Sequence, residues 1–287
     1  MVQLRSIPYH NTCCALFGVA EQTGTVYFTT WLLLMQDLLL AMHPVDQALV
    51  DKLTAKMPEK FRALFRGRPV AMTIDCMHWE MQAPSDGYAR KACYSQYWGS
   101  CAGKALIALS CLGANLPPSR VYPGRITDPQ ITEEWLKELL HDVIVGDFSV
   151  EELKQLGALM AGIWILADKG WVDYVEATRR RGIFFITPDK ARDGSEQFTA
   201  DETFWNADVA HLLIHVERAI KHIREFRVIN ARCTMSRKDL MSATVTVCAL
   251  LCNFLPPTGG SDFGLRNASG ERCCAYSLVW GDRVARE

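Results

Sequence analysis

With 287 residues, 49% of them hydrophobic and 22% charged, the chain has material for one large domain with a substantial core, and its composition is that of an ordinary globular protein. Thirty-one Lys and Arg against 32 Asp and Glu give a net charge of −1, which excludes a surface that is basic overall, so any contact with a polyanion must come from a local patch. Eleven cysteines without a CxxC pair exclude an encoded zinc finger and, with no signal peptide apparent, are expected to be reduced thiols in a cytosolic or nuclear protein.

In chain order, residues 12–42 read as two helices around Gly18, the second running from near Glu21 through Trp31 to Met42. Residues 26–42 are the most apolar stretch. Gln36 and Asp37 interrupt it, and its length falls short of the roughly 20 residues of a membrane span, so a buried helix is expected. No Lys or Arg occurs between Arg5 and Lys52, and Glu21, Gln22, Gly24 and Val26 occupy the exposed positions of the second helix. That is a poor set for reading base edges, and a helical pair packed on the following domain is the expectation. Residues 44–68, with Pro44, Pro58 and the basic cluster Lys56, Lys60, Arg62, Arg66 and Arg68, read as a linker with a short helix.

A strand over residues 69–75 ends at Asp75. Two more β runs follow, residues 105–111 and 115–122, with Gly113-Ala114 as the hairpin turn and Pro117-Pro118 confining the second run to an edge. Next come a helix over 130–140 with Thr132 or Asp128 near its start as cap, a strand over 162–168 ending at Asp168, a helix over 171–180, a strand over 183–187 and a polar loop over 188–197. The best-defined element is the long helix after that loop, where Val209, Leu213, Val216, Ile220 and Ile223 recur at alternating steps of four and three. Glu217 sits beside this stripe, at the edge of the core. The second half of the helix is basic (Arg218, Lys221, His222, Arg224, Arg227), either a solvated face or a set of phosphate contacts, joined by Arg179-Arg180-Arg181. The tail from Pro257 is rich in Gly and Ser and is expected to be disordered; its acceptor-like Asn267-Ala268-Ser269 is discounted in an intracellular protein.

Two acids at strand ends and a third on a helix suit phosphoryl transfer assisted by two divalent cations, since hard cations take oxygen ligands and an in-line displacement has two oxygens to stabilise. His211 and His215, four residues apart, lack an intervening Glu and a third ligand, so zinc is set aside, and no cysteine is paired with a base.

The words around these acids carry more. Asp75-Cys76-Met77-His78-Trp79-Glu80, Tyr94-Ser95-Gln96-Tyr97, Lys104, Tyr122-Pro123-Gly124-Arg125-Ile126-Thr127-Asp128, Ala167-Asp168-Lys169-Gly170-Trp171, Ile214-His215-Val216-Glu217-Arg218-Ala219-Ile220 and Val245-Thr246-Val247-Cys248-Ala249-Leu250-Leu251-Cys252-Asn253 occur in that order. This set resembles the DDE superfamily endonucleases, in particular the eukaryotic transposase group related to Harbinger and insertion-sequence-5 elements. The resemblance implies an α/β, ribonuclease-H-like catalytic domain, a mixed sheet with flanking helices, over residues 61–257. A helix-turn-helix-like module and linker (1–60) would precede it and the tail (258–287) would follow. It implies a metal-dependent DNA endonuclease, with strand transfer in a full transposase, acting in the nucleus. Asp75, Asp168 and Glu217 would be catalytic and would ligate two Mg²⁺ (or Mn²⁺), with Asp128 as a further candidate ligand, while Lys104, Arg218, Lys221 and Arg224 would contact DNA. The expected partners are DNA, a separate recognition protein in place of the zinc module that relatives often carry, and a second copy, with no membrane.

Two departures stand out. Trp98-Gly99-Ser100-Cys101-Ala102 replaces a stretch where the family usually shows Lys, His, Asn and Thr, and Leu213 stands one turn before Glu217 where an Arg is usual. Losing that Arg removes a charge-assisted hydrogen bond worth roughly 1.5–3 kcal/mol. The sequence therefore leaves two readings open, a working nuclease and a domesticated relative that keeps the fold as a DNA- or protein-binding module.

Overall fold

The computed structural model describes residues 10–65, 70–139, 163–174, 183–189, 197–255 and 274–281. Its centre is β1 (Val70–Glu80), buried from Val70 to Ile74. β3 (Ser100–Ser110) pairs with it antiparallel from Met72↔Ser110 to Glu80↔Ala102. On its other side β5 (Ile163–Leu166) runs parallel, and β6 (Ile183–Ile186) extends the sheet in the same sense. The short strands β2 (Tyr94–Ser95) and β4 (Tyr122–Pro123) both pair with β3, giving the order β2-β3-β1-β5-β6 with β4 off that path.

The strand period of two divides β1 between two layers. Ile74 and Cys76, with Leu106 and Ala108 of β3, pack with Ile131 and Trp135 of α6 (Asp128–Leu139). Met77 and Trp79, with Ala105 and Ile107, pack with Val216, Ala219 and Ile220 of α7 (Ala200–Ile223) and with α9 (Met241–Leu251). The expected stripe is the buried side of α7, whose start is fixed by a capping box between Thr199 and Glu202. A mixed sheet with an antiparallel pair on one side, parallel strands on the other and helices on both faces is the ribonuclease-H-like arrangement, as expected.

Several expectations need correction. Asp75 is not at a strand end: β1 continues for five residues because Cys76 to Glu80 find partners on β3. The run after Gly113 folds back as foreseen, with Gly113 at φ 82°, but only as an isolated bridge at Leu109↔Asn115 and then β4, since Pro117 and Pro118 have no N–H to offer a ladder. The helix expected over 171–180 is a 3₁₀ turn at Lys169–Tyr174, and residues 175–182, including Arg179-Arg180-Arg181, lie outside the described residues. Residues 44–65 do more than link. They form α3 (Gln47–Ala55) and α4 (Glu59–Leu64), which place Leu49, Leu53, Met57, Phe61 and Phe65 in the main core. The tail is seated in part as well. In α10 (Ala275–Val279) Tyr276 and Val279 are buried, as is Trp280 just beyond, and Lys52 Nζ donates to Val279 O at 3.0 Å. Asn267-Ala268-Ser269 is outside the described residues.

The largest correction concerns the N-terminal pair, α1 (His10–Leu16) and α2 (Glu21–Met42), joined through Gly18 at φ 63°. Only Gly24, Leu32 and Leu39 of α2 are buried. One side, with Phe28 and Met35, packs against the second core layer beside α9, while Tyr27, Trp31, Leu34 and Leu38 are 52–63% exposed. By length and composition α2 could also cross a membrane. An apolar run covers itself only on the side that meets the domain, and here it has two apolar sides.

Candidate active site

The sheet register explains how distant acids meet. The parallel pairing of β1 and β5 ends at Thr73↔Leu166, and two residues beyond that pair on each chain stand Asp75 and Asp168. The turn after β5 is anchored by Trp171, which is buried and donates its Nε1–H to Thr132 Oγ1 of α6 at 2.8 Å. This bond ties the segment carrying Asp168 to the helix whose first residue is Asp128. Glu217 is exposed on α7, one residue along from the buried Val216, on the layer that faces Met77 and Trp79.

Asp75 shows where their charges converge. Burial first, and then the charges of Asp128, Asp168 and Glu217, push its carboxyl from 3.8 up to about 6, against the hydrogen bond its Oδ1 accepts from Cys76 N at 2.7 Å. Asp128 receives Lys104, whose Nζ donates to its Oδ1 at 2.7 Å and to Ile126 O at 2.8 Å. The Lys104 side chain is 9% exposed, so the ammonium expected to meet DNA is committed to holding Asp128 and the turn before it. The cap expected of Asp128 is thus replaced by an ion pair aimed at the sheet. The Cys76 thiol also hydrogen-bonds Asp128, and burial, then the Asp128 and Asp75 charges, hold it well above its usual range, so it stays protonated.

A cavity of about 1100 Å³ opens over these groups. Asp75, Asp128 and Asp168 line it, as do Lys104 and Arg224; Glu217, Arg218 and Lys221 are not among its lining residues. Arg218 and Lys221 are exposed farther along α7. Arg224 is fixed by a 3.0 Å bond from its Nη2 to His78 O. Gly124 completes one wall: a Cβ there would crowd the carbonyl oxygens of Cys93 and Ala102, which explains the glycine in Tyr122-Pro123-Gly124-Arg125.

Sequence reasoning passed over His78, Lys91, Arg125, Tyr97 and Trp98 as site residues, yet all five line the cavity. His78 was visible as the residue three positions along β1 from Asp75, paired in register with Lys104. Its buried Nε2 has no hydrogen-bond partner, and burial, then Lys104 and Arg224, hold the imidazole below its usual value against the pull of Asp128. Leu213, standing where an Arg was expected, is 8% exposed and part of the main core, so the missing charge has been replaced by packing.

The donor set tests whether divalent cations fit. Asp75, Asp128 and Asp168 line one cavity, their charges raise the proton affinity of Asp75, and hard oxygen donors of this kind are what Mg²⁺ or Mn²⁺ takes. Among the described residues no three His, Cys, Asp or Glu side chains stand close enough to grip one ion together, so the acids are gathered around the cavity but not closed on a point.

Residues 74–253, more than half of the chain, match the family model described as DDE superfamily endonuclease. No curated protein and no solved structure matches the chain.

Proposed function

The chain belongs to the DDE superfamily endonuclease family, and from that premise we propose that it hydrolyses DNA phosphodiester bonds at the cavity over β1, with strand transfer as a further step open to the same site. The observation that carries this reading is that Asp75, Asp128 and Asp168, from distant parts of the chain, line one cavity, where burial and the charges of Asp128, Asp168 and Glu217 raise the Asp75 carboxyl. Asp75, Asp168 and Glu217, with Asp128 beside them, would hold two Mg²⁺ or Mn²⁺. When bound, these ions supply Lewis acidity at the attacking and leaving oxygens. The protein's own groups do the rest. Arg224, Lys91 and Arg125 receive the phosphates on either side of the scissile bond, and Lys104 keeps Asp128 turned inward. The His78 imidazole, held below its usual value chiefly by burial, lines the cavity without adding a charge to it. Arg218 and Lys221, exposed on α7, would contact DNA outside the cavity. A DNA substrate would suit a nuclear protein, and with no basic residue on α1 or α2 a separate partner would supply sequence recognition.

The competing reading, an inactive binding module, is favoured by one observation: no three candidate ligands among the described residues close on a point. Cleavage of supercoiled plasmid separates the two. The wild type with Mg²⁺ or Mn²⁺ is expected to nick it, EDTA to stop it, and Asp168→Asn to lower the rate by more than about a hundredfold, since removing a charge that acts on the transition state costs several kcal/mol. A folded wild type with no metal-dependent nicking supports the binding module.

We also propose a homodimer through α2. Tyr27, Trp31, Leu34 and Leu38 repeat at steps of four and three along its exposed side, which is the spacing of a coiled-coil seam, and the seam carries no charge that would select a different partner. A two-fold axis pairs such a stripe with itself. Light scattering on the eluting protein is expected to give a dimer for the wild type and a monomer for Leu34→Glu/Leu38→Glu. A monomeric wild type that floats with phospholipid vesicles would instead assign this face to a membrane.

A further inference from the structure

The tip of the β2–β3 hairpin faces the same cavity with groups that the cleavage reaction does not use. Gly99, at φ 64°, closes the turn with its N–H on Ser95 O at 2.9 Å, and Tyr97 and Trp98 project from it. Tyr97 is 89% exposed and Trp98 41% exposed, and both line the cavity. The His78 ring meets each edge to face, with centroids 6.3 Å from Tyr97 and 6.1 Å from Trp98. That leaves broad aromatic surface open to solvent within ring contact of a residue three positions from Asp75. Large exposed apolar side chains forfeit the gain of burial, and a cluster of them at a cavity mouth marks a contact surface.

What the cluster would contact follows from its neighbours. Lys91, Arg125 and Arg224 line the same cavity, which is larger than most small-molecule sites. Cations that track a phosphodiester backbone, interleaved with aromatic faces, are how proteins hold unpaired nucleotides, because every base has a face to stack whatever its identity. The bases of an intact duplex are already stacked on one another and cannot reach such a platform.

We propose that Tyr97 and Trp98, backed by His78, form a stacking site for an unpaired DNA base next to the scissile phosphate, and that the substrate is therefore DNA with bases out of the duplex, at a bulge, a flap or a single strand. This inference rests on the nuclease reading for its substrate class, and binding measured without metal separates the two. The probe is a DNA duplex with one bulged 2-aminopurine, compared with the matched duplex and with the same bulge lacking its base, all in EDTA. The bulged probe is expected to bind the wild type about tenfold more tightly than either control, with its fluorescence quenched by stacking. Trp98→Ala is expected to lose about tenfold in affinity for the bulged probe alone, together with the quenching, equivalent to about 1.4 kcal/mol, while Trp98→Phe keeps most of both. Trp98 is 41% exposed, so both variants are expected to fold, which circular dichroism checks. Equal affinity for the three probes, no binding of any, or an unchanged Trp98→Ala overturns the stacking site. Base-selective binding by a wild type that cleaves nothing in Mg²⁺ overturns the nuclease and leaves the stacking site standing.

Discussion

Asp75→Asn is expected to abolish metal-dependent cleavage and at the same time to stabilise the fold at pH 7.5. In the folded protein the carboxyl releases its proton near pH 6, about two units above its ordinary 3.8. One unit is about 1.4 kcal/mol, so holding Asp75 ionised costs the folded state about 3 kcal/mol above pH 6. Asparagine keeps the acceptor for Cys76 N and removes the charge. The expected gain is about 1–3 kcal/mol, a rise of several degrees in melting temperature. The pH dependence has a definite sign. Between pH 3.8 and about 6 the unfolded chain gives up a proton that the folded chain keeps, so stability falls as pH rises through this window and is level above it. His43 and His78, held below the usual 6.5 chiefly by burial, act the other way and lose stability as pH falls below that value. Because both histidines are present in wild type and variant, the difference between the two unfolding curves isolates Asp75. That difference should grow from near zero at pH 4 to its plateau above pH 6. Mg²⁺ should narrow the gap: at ten times its Kd a ligand adds about 1.4 kcal/mol to the wild type, and the variant, lacking the carboxylate, should gain less. A variant that melts below wild type at pH 7.5 without metal would show that the four acids do not strain the site.

Trp280→Ala is expected to lower the free energy of unfolding by about 3–5 kcal/mol, a large part of the 5–15 kcal/mol that holds a typical domain together. The side chain is fully buried, its Nε1 donates to Pro44 O at 3.1 Å, and its ring lies 4.6 Å from that of His43, which in turn holds Leu39 O at 2.7 Å. Residues near the end of the chain thus bolt the turn after α2 to the main core. Trp280→Phe, which keeps a ring but loses the bond to Pro44, is expected to cost about 1–2 kcal/mol beyond any change in packing. Urea unfolding followed by circular dichroism measures both. A loss below about 1 kcal/mol for the alanine variant would mean that α10 contributes nothing to the stability of the domain.

Both predictions bear on what could be read from residues alone. The stripe from Val209 to Ile223 named the packed side of α7 because a helix repeats every 3.6 residues and this one meets a sheet along its length. The acids Asp75, Asp168 and Glu217 were visible because each stands in a run whose type local pattern sets. His78 was quoted but assigned no role, since nothing in a strand's own sequence tells which registered neighbour, here Lys104, brings a histidine to a cavity. The role expected of Lys104 changed for the same reason: a lysine in sequence is a free charge, and its pairing with Asp128 exists only after β3 and α6 are packed.

Local chemistry, then, was enough for the long helix α7, the strands around β1 and the mixed α/β class, because each depends on periodicity or on residues adjacent in the chain. Packing settled what depends on partners far apart in sequence. It put Asp128 rather than Glu217 among the cavity-lining acids and raised the Asp75 carboxyl through burial and three other charges. It left one side of α2 uncovered, although its composition reads as core. A Gly- and Ser-rich tail, expected to stay loose, buries Trp280 because a pocket of aromatic rings that includes the distant His43 is there to receive it.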